Sequence, residues 1–169
     1  MRILVRLFIM FTCLLAVAGA HADERILDFH SEIAVAADAG MRVTETIRVR
    51  VEGQQIRHGI YRDFPTDYRD RYGNRVRVAF KPLALTRDGA AEPFHSERIA
   101  NGVRVYFGAA DKFLPAGEYV YTFTYHTDRQ LGFFSDHDEL YWNVTGNGWD
   151  FAIDSASASV QLPGAIAAD

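Results

Sequence analysis

The chain has 169 residues, with 18 basic and 22 acidic side chains and a formal charge of −4 at neutral pH. This acidic balance argues against nucleic acid and anionic lipid headgroups as partners, because both reward basic patches. Cys13 is the single cysteine of the chain, so a core rather than disulfides within the chain must hold any folded domain.

The first 22 residues have the organisation of a secretory signal peptide. A basic start precedes an apolar run from Leu7 to Ala18, and the small-residue pattern Ala20-His21-Ala22 follows. The run is shorter than the ~20 residues that a membrane-spanning helix needs. We therefore predict cleavage after Ala22 and export of a chain that begins at Asp23, with an uncleaved N-terminal anchor as the alternative.

Removal of 22 of the 169 residues leaves 147, and with them go Cys13 and two arginines, so 16 basic residues face 22 acidic ones and the formal charge is −6. A chain of this length can bury a core without disulfides. We predict one domain over residues 23–163 and the start of a linker over residues 164–169.

Alternation of apolar and polar residues dominates the mature chain and is typical of β-strands. Two long alternating runs flank the turn Asp38-Ala-Gly40 and predict a hairpin, and Asn101-Gly102 predicts another. Eight or nine strands separated by short turns predict an all-β domain, an antiparallel β-sandwich of immunoglobulin-like or jelly-roll-like type. A closed β-barrel is the alternative.

The alternation lapses for some twenty residues after the second strand, which predicts a long loop. This loop contains the segment His58-Gly-Ile-Tyr-Arg-Asp-Phe-Pro65. The segment places the guanidinium of Arg62 and the carboxylate of Asp63 beside the aromatic ring of Tyr61. In one interpretation Arg62 and His58 recognise an anionic or hydroxyl-rich ligand, while Tyr61 offers a stacking face. In the interpretation that we favour, the apolar residues of the segment close one end of the sandwich and Arg62 pairs internally.

Glu45 occupies the apolar phase of the second strand, between Val43 and Ile47. A buried carboxylate at this place needs a partner. Either Glu45 pairs with Arg57 or Arg62 and fastens the long loop to the sheet, or the strand leaves Glu45 in solvent. The sequence leaves both possibilities open, and neither requires catalysis.

The most unusual stretch runs from Asp138 to Ile153 and contains both tryptophans, two glycines and two asparagines. It is too polar for a core segment and too aromatic for an ordinary loop. We predict a strand over Leu140–Thr145, a Gly-Asn-Gly turn and a second strand over Trp149–Ile153, and we expect this segment to help build any site.

The acidic group Asp136-His-Asp-Glu139 precedes this stretch, but its spacing matches no established calcium or zinc signature. A hydrolase would need two carboxylates across a bond, such as Asp63 and Glu139. We predict no catalytic set, metal or cofactor, because no catalytic motif occurs. The candidate binding residues are Glu45, His58, Tyr61, Arg62, Asp63, Asp138, Glu139, Tyr141, Trp142, Asn143 and Trp149.

Three segments together resemble one protein family. They are Val43-Thr-Glu45, Gly59-Ile-Tyr-Arg-Asp-Phe-Pro65 and Asp138-Glu-Leu-Tyr-Trp-Asn-Val-Thr-Gly-Asn-Gly-Trp149. They are similar to the N-terminal extracytoplasmic domain of the YciQ-like predicted bacterial membrane proteins, a domain of unknown function. The resemblance implies a periplasm-facing β domain tethered to the inner membrane by segments absent from this chain. It implies no reaction.

We therefore predict an exported sensing or interaction domain, periplasmic or periplasm-facing, rather than an enzyme. An envelope protein or a glycan is the expected partner, and nucleic acid is not. The alternative is a carbohydrate-binding or carbohydrate-active envelope protein, because exposed aromatic rings beside carboxylates and amides can grip sugars. The opposing interpretation is that these rings fill the core and the ends of the sandwich.

Overall fold

The computed structural model describes residues 23–69 and 72–164. The predicted signal peptide and residues 165–169 of the predicted linker lie outside this part of the chain. The described residues form thirteen β-strands and no helix. The strands are β1 (Arg25–Val35), β2 (Met41–Val51), β3 (Tyr61–Pro65), β4 (Asp67–Arg69), β5 (Arg75–Arg77), β6 (Phe80–Arg87), β7 (Ala90–Ala91), β8 (Phe94–Ile99), β9 (Gly102–Phe107), β10 (Gly117–Thr127), β11 (Leu131–Phe133), β12 (Asp138–Leu140) and β13 (Ala156–Gln161).

The strands form two main layers. A six-stranded sheet has the order β13-β1-β2-β10-β6-β7, and a three-stranded sheet has the order β3-β9-β8. The pairs β4–β5 and β11–β12 form two small additional sheets. No sheet closes on itself within the described residues, so the all-β sandwich is confirmed and the barrel alternative is not. Eight strands have five or more residues, which agrees with the predicted eight or nine.

One pairing departs from the antiparallel expectation. Strand β13 runs parallel to β1, with Phe29 opposite Ala156, whereas all other paired strands among the described residues are antiparallel. Just before β13, the chain passes beside the start of β1, where Ile153 and Ile26 form a single β-bridge. Because the chain meets β1 at the end where β1 begins, β13 runs in the same direction as β1.

The core lies between the two layers and is rich in aromatic rings. In β2 the alternate residues Val43, Ile47, Val49 and Val51 are fully buried, as the alternation predicts. Phe64 of the small sheet links the layers, since its ring centroid lies 4.3 Å from that of Phe80 and 4.9 Å from that of Tyr125. Burial of each such large side chain contributes roughly 1.5–3 kcal/mol.

The predicted long loop contains two strands, β3 and β4, so the loop prediction is wrong for those residues. Strand β3 pairs with β9 along its whole length. Its alternation is hard to see in the sequence because Arg62 takes an inward position that an apolar residue would normally occupy, beside buried Phe64. Tyr61 and Asp63 lie on the other face.

The predicted hairpin in the segment 140–153 is also wrong. Only Leu140, at the end of β12, and Ile153, in its single bridge, take part in β-pairing. The segment instead lies against the core that the three-stranded layer leaves uncovered. Its half-buried apolar residues at this place are Trp142, Val144, Trp149, Phe151 and Ile153.

Candidate functional site

A buried ion pair joins β2 to β3. Arg62 donates from Nε to Glu45 Oε2 and from Nη2 to Glu45 Oε1, both at 2.9 Å. Glu45 is fully buried, and the side chain of Arg62 is only 4% exposed. Tyr125 of β10 donates its hydroxyl to Glu45 Oε1 at 2.9 Å. The predicted pairing of Glu45 with Arg62 is confirmed, and Arg57 is not its partner.

The surroundings keep Arg62 charged and Tyr125 protonated. Burial lowers the pKa of Arg62, but the charge and hydrogen bonds of Glu45 outweigh burial and raise the pKa overall. Burial, together with the nearby charge of Glu45, raises the pKa of Tyr125 well above its ordinary value. The phenol therefore stays protonated and remains a hydrogen-bond donor to the carboxylate.

Three aromatic rings surround the guanidinium of Arg62. Its central carbon lies 5.1 Å from the ring centroid of Phe64, 5.3 Å from that of Phe29 and 5.5 Å from that of Trp149. Such cation–π contacts become stronger where water is excluded. Trp149, which belongs to the segment 140–153, thus covers one side of the ion pair. Arg62 and Trp149 therefore meet inside the domain.

Gly146 brings the irregular segment against the same guanidinium. Its φ is +70°, and a Cβ atom there would lie 2.0 Å from Arg62 Nη1, so only glycine fits. Trp149 donates from Nε1 to the carbonyl of Thr145 at 2.8 Å and folds the segment back on itself. We call residues 141–151 the tryptophan loop, and this contact fixes its position on β3.

A second set of polar contacts holds the tryptophan loop to the outer face of β3. Arg104 of β9 donates to the two oxygens of Asp63 at 2.6 and 2.8 Å, and its guanidinium carbon lies 3.9 Å from the ring centroid of Tyr61. The Tyr61 hydroxyl donates to Asp150 Oδ2 at 2.9 Å. The hydrogen bond to Asp150 raises the pKa of Tyr61, and the hydrogen bonds to Asp63 raise that of Arg104.

We expect Trp149→Phe to cost about 1 kcal/mol more unfolding free energy than Trp142→Phe. Both changes remove the same atoms from half-buried indoles, but within the described part of the chain Trp149 Nε1 has a hydrogen-bond partner and Trp142 Nε1 has none. Urea denaturation of the two variants measures the difference. Equal losses would show that the bond from Trp149 to Thr145 contributes nothing to loop docking.

A cleft of about 310 Å³ opens beside the ion pair. One wall is the tryptophan loop, and the others come from β3, β6 and the end of β10. Arg62 and Tyr125 line it, and Tyr141 at its rim is 81% exposed. The remaining lining residues are Asp63, Phe64, Pro65, Thr66, Tyr68, Val78, Phe80, Thr127, Gln130, Trp142, Asn143, Gly146 and Asn147.

Some predicted site residues lie elsewhere. His58 bonds through Nδ1 to the carbonyl of Lys112 and packs against the ring of Phe113. Asp138 and Glu139 lie on β12, where both are exposed. Oε2 of Glu139 lies 3.9 Å from Nε2 of His137, away from Arg62. Among residues 23–69 and 72–164, no group of acidic, histidine or cysteine side chains has metal-site geometry.

Sequence reasoning missed several members of the site, including Arg104, Tyr125 and Asp150. Arg104 lies directly opposite Asp63 in the β3–β9 register. Tyr125 lies on β10, the strand next to β2, two residues beyond the position opposite Glu45. Arg104 follows the Asn101-Gly102 turn in a run whose charges look like an ordinary solvent face. The register of the β3–β9 pairing places Asp63 opposite Arg104. Because the sequence pattern does not reveal β3, it does not reveal this partner either.

The fold and this site define a β-sandwich domain whose layers are joined by a buried arginine–glutamate pair. Residues 25–168 match the family described as "Predicted membrane protein (DUF2207) N-terminal domain", and the chain belongs to this family. It is 33% identical over 140 residues to "Uncharacterized protein YciQ" of Escherichia coli strain K12. That match covers 83% of this chain and 22% of the relative, so this chain corresponds to a minor part of YciQ. The predicted resemblance is thereby confirmed.

Among solved structures, this chain is similar to yeast LTA4 hydrolase, with 11% identity and a TM-score of 0.45 over 62% of this chain and 14% of that one. It is also similar to an M1 zinc metallopeptidase from Deinococcus radiodurans, with 11% identity and a TM-score of 0.41 over 64% of this chain and 21% of that one. Within the described part of the chain, no helix has the length and apolar character of a membrane span.

Proposed function

We propose that this domain is a non-catalytic recognition module that faces the periplasm as part of a membrane protein and binds an envelope partner at the cleft. Its family, described as predicted membrane proteins, supports the membrane association. The observation that carries the proposal is the cleft itself, a recess of about 310 Å³ whose rim carries the exposed ring of Tyr141. Pockets that combine aromatic surface with a few polar groups are typical of binding sites.

The rigidity of the cleft wall supports recognition. The tryptophan loop is held on one face of β3 by Arg62 and on the other by the bond from Tyr61 to Asp150. A wall fixed in this way needs little ordering when a partner binds, and such preorganisation favours affinity. A buried ion pair is in itself weak evidence for added stability, so its use to place a loop favours a role in positioning.

The carboxylates near the cleft favour binding over hydrolysis. Glu45 is held by Arg62 and Tyr125, and Asp63 accepts hydrogen bonds from Nε and Nη2 of Arg104. General acid or base catalysis needs a carboxyl group that is free to exchange a proton with substrate. Glu139, the predicted second carboxylate of a hydrolase, does not line this cleft.

We expect Tyr141→Ala to abolish or strongly reduce capture of the partner from envelope extracts. The ring is exposed at the rim, so its removal takes away contact area and leaves the core intact. Val160→Ala on β13 is the matched control, because Val160 is also exposed and lies outside the cleft lining. Circular dichroism checks that both variants fold, and an unchanged set of captured proteins with Tyr141→Ala would refute the proposal.

The second candidate is recognition of an envelope glycan at the same cleft. It is favoured by the exposed Tyr141 ring, which lies beside the amides of Gln130, Asn143 and Asn147. Aromatic faces next to amide groups suit the apolar faces and hydroxyl groups of sugars. Digestion of the extract with glycan hydrolases before capture separates the two candidates, because only a glycan-mediated signal is lost.

A further inference from the structure

Trp142 contributes an unused hydrogen-bond donor to the cleft wall. Its Nε1 is buried and has no hydrogen-bond partner among residues 23–69 and 72–164, although buried polar atoms nearly always have one. The other such atoms among the described residues belong to Arg25, Ser31, Arg87 and Tyr121, none of which lines the cleft. Because Trp142 lines the cleft, a molecule bound there is the candidate acceptor for this unpartnered donor.

Arg62 contributes a second unused donor at the floor of the cleft. Glu45 occupies Nε and Nη2, and no hydrogen bond to a described residue uses Nη1, which lies against Gly146. Guanidinium groups have five N–H donors in a fixed plane, so the direction of Nη1 follows from the bond to Glu45. The ion pair therefore holds one donor in a constant position inside the cleft.

The charges around these donors select an uncharged ligand. The positive charge of Arg62 is already balanced by Glu45, and Asp63 also lines the cleft. An anion would meet no net positive charge here, whereas a hydroxyl or amide oxygen needs only a donor. The volume of about 310 Å³ lies at the lower end of the usual range of small-molecule sites, roughly 300–1,000 Å³.

The cleft suits a sugar better than an extended peptide. A peptide bound as an added strand needs main-chain donors and acceptors at a sheet edge. At this end of β3, Pro65 has no N–H, and its carbonyl accepts a hydrogen bond from the Tyr68 hydroxyl at 2.8 Å. The rim presents side-chain amides and the ring of Tyr141 instead.

We propose that Trp142 Nε1 and Arg62 Nη1 donate hydrogen bonds to oxygens of a neutral saccharide whose ring stacks on Tyr141. This inference rests on the proposed recognition function and names the ligand class of the same cleft. A sugar with an acetamido group fits both donors, because its carbonyl and hydroxyl oxygens are uncharged acceptors.

Calorimetric titration of the purified protein with the disaccharide of N-acetylglucosamine tests the proposal. We expect saturable binding, with a Kd about tenfold weaker for Trp142→Phe, which keeps an aromatic ring but loses the donor. Tyr141→Ala should weaken binding at least as much. Phe113→Ala, which removes an exposed ring outside the cleft lining, should leave the Kd unchanged.

Three results would overturn the inference. The disaccharide does not bind, it binds equally well to Trp142→Phe, or a uronic-acid disaccharide of the same size binds more tightly. If the disaccharide fails while Tyr141→Ala still loses its captured partner, the ligand class is wrong and the recognition function stands. If Tyr141→Ala changes neither measurement, both proposals fail.

Discussion

Replacement of Glu45 by glutamine should lower the free energy of unfolding by about 3–5 kcal/mol. The change leaves the guanidinium of Arg62 buried without a balancing charge, at a position where its side chain is only 4% exposed. It also weakens the acceptor of the Tyr125 hydroxyl. Equilibrium denaturation in urea, followed by tryptophan fluorescence, measures the loss, and Trp149 beside Arg62 should report it directly.

The control for this prediction is the double variant Glu45→Leu/Arg62→Leu. Replacement of a whole buried ion pair by apolar residues is often close to neutral, so the double variant should regain most of the stability lost in Glu45→Gln. A single variant within about 1 kcal/mol of the wild type would contradict the prediction. That outcome would mean that water or a rearranged partner compensates Arg62.

Gly59→Ala should also destabilise the domain severely, by at least about 3 kcal/mol. The φ of Gly59 is +134°, and a Cβ atom would lie 1.9 Å from the carbonyl oxygen of Phe107. This contact is to backbone and cannot be relieved by rotation of a side chain. Phe107 N–H donates to the carbonyl of Ile60 at 2.8 Å, so relief of the clash would pull apart the start of the β3–β9 pairing.

Gly53→Ala is the control that separates the cost of backbone strain from the cost of a steric clash. Gly53 also has a positive φ, +75°, but a Cβ atom there would have no neighbour within 4 Å among the residues that the structure describes. Its substitution should cost about 1–2 kcal/mol, from backbone strain alone. Thermal unfolding of both variants gives the comparison, and equal shifts in Tm would show that the backbone at Gly59 moves aside freely.

The charge of Glu45 lies in the apolar phase of β2. From this position the sequence allows either a buried partner, Arg57 or Arg62, or a solvent-exposed carboxylate, and the structure shows the pairing with Arg62. The sandwich was likewise predictable, because alternation and turn residues act locally. The same rule failed for β3, since Arg62 at its inward position is the partner that Glu45 requires and hides the apolar pattern.

The tryptophan loop could not be predicted because its shape depends on surfaces far away in the chain. Leu140–Thr145 has the composition of a strand, but its indole packs on the core that the small sheet leaves open. The parallel direction of β13 has the same origin, since it depends on where the loop delivers the chain. For the candidate site, residue types were predictable, whereas the cleft and its unused donors required the packing.

The position of Arg62 has a consequence for how the domain opens. Its contacts join residues 29, 45, 64 and 149, which are distributed over nearly the whole described sequence. The tryptophan loop cannot lift away without losing the contact of Trp149 with Arg62, the bond from Tyr61 to Asp150 and the burial of its apolar side chains, so local opening of the loop is costly. We therefore expect the loop and the two layers to unfold as one cooperative unit, and hydrogen exchange should find this irregular segment as protected as the strands that it covers.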